Sequence, residues 1–183
     1  MTAKLIVDTL EGRSAGSNII TVPTGHTLYA PGHIVQVQTA VIGPARISIS
    51  STSPTAVTGL SVSITPKNAN SRMVVYAAVH GSSTYVNSYA IFKDGIATVS
   101  TSGQTNNNEA NMQITTYKNS SSNDLLWVEP LMHTELSGST AARTYQVYVT
   151  SGWSGTTYTT HINNRNSNDM AGFSYMWVME IAI

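Results

Sequence analysis

The 183-residue chain has no cysteine, and that absence excludes thiol catalysis, thiolate metal sites and disulfide stapling. Charge is scarce as well: 10% of residues are Asp, Glu, Lys or Arg, against about 25% in a typical domain. Nine basic and nine acidic residues cancel to a formal net charge of +0, which removes long-range attraction to nucleic acid or an anionic membrane. No apolar run approaches the roughly 18 residues of a membrane-spanning helix, so a soluble protein is expected. The opening MTAKLIVDTLEG has one lysine, a brief apolar run and then Asp8 and Glu11, which does not read as a secretory signal. No 11-residue window carries an i, i+3, i+4 apolar stripe, so the sequence predicts essentially no helix.

Serine, threonine and asparagine supply the polarity instead, in stretches such as SISSTSPTAVTG and NNRNSND. Their short side chains compete for backbone hydrogen bonds and favour turns and strands over helix interiors. So little charge also means little colloidal repulsion, which favours association of copies.

Residues 1–32 read as an N-terminal arm. KLIVDTL and NIITV are short β-type runs joined by turn-rich segments, and an isolated hairpin of that size is marginal in water. The arm must dock on its own domain, a neighbouring copy or a larger platform. Its apolar side chains, Leu5, Ile6, Val7, Leu10, Ile19, Ile20 and Val22, are the candidate attachment residues.

Residues 33–183 read as one antiparallel β domain. Strand signals recur at the spacing of a sandwich or barrel. RISIS and LSVSI alternate strictly, placing Ile47 and Ile49, then Leu60, Val62 and Ile64, on one face with serines opposite. MVVYAAV predicts a central strand buried on both faces, and FKDG predicts a hairpin turn at Lys93-Asp94-Gly95. Further strands follow at MQITTY, LLWVEPLMH, RTYQVYVT and TYTTHIN. The closing FSYMWVMEIAI is a strand whose two faces both look mostly buried, giving ten or so strands in all.

Catalytic patterns are missing. The five histidines (His26, His33, His80, His133, His161) form no ligand spacing, although His80, His133 and His161 lie on strands that folding can bring together. The carboxylates are scattered, no GxSxG elbow occurs, and no glycine-rich phosphate cradle precedes a helix. No cofactor, no metal and no enzymatic activity are expected. Glu180, inside the apolar final strand, is costly unless paired, and Arg143, Arg72 or a strand-end exposure is the expected remedy. Asn119-Ser120-Ser121 matches a glycosylation sequon and reads as a polar loop. Trp153, in the glycine-flanked turn SGWSG, is a candidate interface or glycan contact together with Tyr158, Tyr175 and Trp177, because aromatics bring contact area at low entropic cost.

The order of segments, from KLIVDTLEGRSAGSNIITVPTGHTLYAPGHIVQV through TGLSVSITPKNANSRMVVYAAV and FKDG to the terminal VMEIAI, resembles small structural proteins of tailed bacteriophages, many from marine and cyanobacterial phages. The resemblance covers almost the whole chain. It implies an all-β, jelly-roll or C1q-like antiparallel sandwich with a short extended N-terminal arm, assembled as a homotrimer at the virion surface. It also implies a major capsid protein or another virion protein as partner. The shortness of the chain and its lack of heptads favour a capsid decoration (cement) protein over a reaching fibre. The alternative is a short tail-fibre adhesin that binds host glycan through 105–110, 119–124, 163–169 and Trp153.

Overall fold

A computed structural model describes residues 30–183 apart from 84, 101–110, 118–125, 154 and 168. Among these residues there are twelve strands and no helix: β1 (Ile34–Ile42), β2 (Ile47–Ile49), β3 (Thr55–Ile64), β4 (Arg72–Ser83), β5 (Val86–Lys93), β6 (Ile96–Ala97), β7 (Ile114–Tyr117), β8 (Trp127–Leu136), β9 (Arg143–Trp153), β10 (Thr156–Thr157), β11 (Thr160–Ile162) and β12 (Ser174–Ile181). All named pairings are antiparallel. One sheet runs β1, β12, β4, β8, with β11 continuing beside β4 where β12 ends and β2 beyond it. The second runs β3, β9, β5, flanked by β7 and β6, with β10 folded back on the end of β9. The sheets stack as a sandwich.

Period-2 alternation explains the core. Leu60, Val62 and Ile64 are buried from β3 while Ser63 is exposed, as the alternation predicts. They meet Met73, Val75, Ala77 and Val79 of β4, Tyr145, Val147 and Val149 of β9, and Met176 and Val178 of β12. The hairpin at Lys93-Asp94-Gly95 is present. Asp94 and Gly95 both have positive φ (51° and 81°), and the Asp94 carboxylate accepts from Thr144 N at 2.8 Å, tying the turn to β9.

Tyr89 crosses from β5 towards β4, and its hydroxyl lies where only a glycine leaves room. A Cβ at Gly81 would collide with Tyr89 Oη, which already accepts from Asn87 Nδ2 at 2.6 Å. Gly81→Ala is therefore expected to lower stability by about 1–3 kcal/mol, the usual cost of overpacking a filled core. A urea titration should show a lower midpoint with an unchanged slope.

Two expectations change. MVVYAAV is central, between β12 and β8, but only its Met73, Val75, Ala77 and Val79 side is buried; Val74, Tyr76 and Ala78 are half-exposed on the outside. Glu180 pairs with neither Arg143 nor Arg72 and is fully buried at the inner side of β12. Its Oε2 accepts from Gln36 Nε2 at 2.6 Å. Lys67 N reaches both of its oxygens at 2.9 Å, and Asn68 N lies 3.1 Å from Oε1. The amides of the turn that follows β3 thus take the role assigned to an arginine. Burial pushes this carboxyl up, but those donors outweigh it and hold it below the usual carboxylate range.

Candidate functional site

In β12 the polar-looking set points inward. Ser174, Met176, Val178 and Glu180 are buried, whereas Tyr175, Trp177, Met179 and Ile181 face away from the second sheet. Register then builds rows across the outside of the first sheet. Val37, Met179, Val74 and Thr134 form one row; Thr39, Trp177, Tyr76 and Met132 form the next; Val41, Tyr175, Ala78 and Pro130 form a third. Below them Ile181, Arg72 and Leu136 complete the face.

Trp177 and Tyr76 stack at its centre, with ring centroids 5.3 Å apart and planes at 27°. Around them Met132 is 65% exposed, Val41 56% and Leu136 55%, which are large fractions for side chains of this size. No carboxylate stands in these rows, and Arg72 is their one permanently charged residue. The segment after β11 bounds the far end. Gly172 approaches His80 so closely that a Cβ there would lie 2.9 Å from the imidazole, and Gly172 N donates to Asn163 O at 2.8 Å.

Four strands about 4.8 Å apart, each showing some eight residues at about 3.4 Å, give a face of roughly 500 Å² before side-chain relief is counted. Two such faces together reach the ~1,000 Å² that a specific interface requires. The rows hold little that can act on a substrate: their chemistry is burial of aromatic, thioether and aliphatic surface.

Neither a comparison with protein-family models nor a search of curated proteins finds a match to this chain.

The four aromatics singled out from the sequence separate. Tyr175 and Trp177 lie together on the outer face. Tyr158 packs instead on Tyr85, at 4.9 Å, and Tyr85 in turn meets Tyr117 at 4.9 Å, with their hydroxyls 3.1 Å apart. Trp153 ends β9, opposite Thr156, in the other sheet; its side chain lies outside the described residues, as do 105–110 and 119–124. The arm residues Leu5, Ile6, Val7, Leu10, Ile19, Ile20 and Val22 also lie outside them; the described chain enters through a turn in which Gly32 N donates to Ala182 O at 2.8 Å.

The three strand histidines do not converge. His161 stands opposite Ser82 and shares a 3.0 Å hydrogen bond with Ser48, whereas His133 stands opposite Val75 on β8 and points between the sheets. Among the described residues no group of three His, Asp or Glu side chains is placed to hold a metal ion. The sequence reading missed Val37, Val41, Tyr76, Met132 and Leu136 as members of the face. Only the strand register brings them beside Trp177.

Proposed function

We propose that the chain is a non-enzymatic structural component of a phage particle. In this reading it is a jelly-roll or C1q-like sandwich that assembles as a homotrimer and decorates the capsid through its N-terminal arm, residues 1–32. The observation that carries the proposal is the carboxylate-free apolar face centred on Trp177 and Tyr76. Among the described residues that face stays exposed, and cyclic association would let identical copies cover it. Three weak arms acting together would then hold firmly to a shell by avidity. The low charge of the whole chain is compatible with life inside such an assembly.

Deleting residues 1–32 tests the division of labour. The truncated protein should keep its oligomeric state and melting temperature and lose its ability to add to purified capsids. Full occupancy on shells without the arm would overturn the assignment. The exposed Tyr117 beside Tyr85 and Tyr158 favours a second reading, a tail-fibre adhesin whose aromatic end meets a host glycan. Copy number per particle separates the two, since a decoration protein covers the shell and a tail tip is present in few copies.

A further inference from the structure

Where β8 faces the β5–β6 hairpin, one carboxylate joins three strands. Glu135 of β8 accepts from Lys93 Nζ of β5 at 2.6 Å and from Tyr145 Oη of β9 at 2.5 Å, with Arg143 Nη1 of β9 3.6 Å away. His133, two residues earlier on β8, places Nε2 3.9 Å from the same carboxylate, and that buried nitrogen has no hydrogen-bond partner. A cleft of about 310 Å³ separates the hairpin residues Ile96, Ala97 and Thr98 from His133 and Glu135, so the two sides have room to part.

The charged and titratable groups around His133 are few. Lys93 and Asp94 come from the hairpin, Arg143 and Tyr145 from β9, and Glu135 from its own strand. Across the ladder on β4 its neighbour is Val75, which does not titrate. The Asp94 carboxylate is engaged by Thr144 N. At neutral pH Glu135 is the carboxylate that faces both Lys93 and Arg143, beside an uncharged imidazole, with the Asp94 carboxylate at the turn of the same cleft.

We propose that this cluster is an acid-operated latch between the two sheets, closed while His133 is neutral and releasing the β5–β6 hairpin from β8 when a third positive charge enters it. Burial holds the His133 imidazole below its ordinary range, against the pull of Glu135. Burial works against the Glu135 charge, but the hydrogen bonds from Lys93 and Tyr145 prevail and hold its carboxyl low. Both groups thus bind fewer protons folded than unfolded. Stability from His133 is full above its unfolded value, about 6.5, and is lost as pH falls through the lower folded value. Glu135 repeats this below the ordinary carboxylate value of about 4.3, so the histidine releases first.

His161 is also held low, by burial and then by the charge of Arg46, but it pairs with Ser48 at the β2–β11 end. A global melt would mix the two histidines, so the test needs local resolution. Amide hydrogen exchange of the full chain, corrected for intrinsic rates, should be compared at about pH 7.5 and about pH 5.5. Exchange at the β5–β6 hairpin and in β8 should rise about tenfold at the lower pH while β3 and the β3-facing amides of β9 stay protected. His133→Gln, which cannot take up the proton, should abolish the rise. Glu135→Gln should open the same strands at both pH values; if that variant fails to fold, His133→Gln still decides. No rise, an equal rise in β3 and the β3-facing amides of β9, or a rise that survives in His133→Gln would each overturn the latch.

Discussion

In the proposed assembly, Trp177→Asp is expected to yield monomers. The indole lies at the centre of the outer face, stacked on Tyr76 and in one row with Met132, so a carboxylate there must be desolvated whenever copies meet. Central aromatic anchors typically cost more than 2 kcal/mol when removed, and the added charge raises that, so the dissociation constant should increase by at least about 100-fold. The fold should survive, because Trp177 points away from the core that Met176 and Val178 join. Sedimentation velocity of the variant should show the small species across the micromolar range with the far-ultraviolet spectrum unchanged. Thr134→Asp, in the row beside the stack, should weaken association less. Equal behaviour of the two variants would mean that the stack is not the anchor.

Glu180→Ala is the second large effect, and it acts on folding. Removing the carboxylate leaves the part-buried amides of Lys67 and Asn68 without their acceptor and takes from the Gln36 carboxamide one of its two, Thr65 O remaining at 2.7 Å. Leaving neutral donors without an acceptor in this way costs about 1–3 kcal/mol. Glu180→Gln keeps one acceptor oxygen and should lose less. Because the folded carboxyl is held below its usual range, the contribution of Glu180 is present above its unfolded value and is lost as pH falls through the folded one. The gap in stability between wild type and Glu180→Ala, read from urea titrations, should therefore shrink in acid. A gap that stays constant down to strongly acidic pH would show that the cost comes from lost packing and not from the lost charge.

The two residues also show what a sequence of this kind discloses. Strands whose alternation is clean, such as LSVSI, declare both their state and their inward face, because serine against leucine leaves one economical orientation. FSYMWVMEIAI declares itself as a strand, but the expectation that both its faces are mostly buried fails: Ser174, Met176, Val178 and Glu180 are buried, while Tyr175 is exposed and Trp177, Met179 and Ile181 are half-buried. Ser174 and Glu180 turn inward because Asn163 and the turn after β3 meet them: Ser174 Oγ donates to Asn163 Oδ1 at 2.6 Å. Those partners are 11 and 113 residues away in sequence, so no local pattern reveals them. The same holds for the Glu135 cluster, drawn from β5, β8 and β9. Its one local trace is the Lys93-Asp94-Gly95 turn, which fixes the β5–β6 hairpin; the register that sets Lys93 opposite Tyr145 is not local.

Native mass spectrometry of the full chain at low micromolar concentration tests the central claim most directly. Three-copy particles that dissociate in Trp177→Asp are the predicted result. A persistent single-subunit species for the wild-type chain would contradict it, and with it the reading of the outer face as a surface between copies.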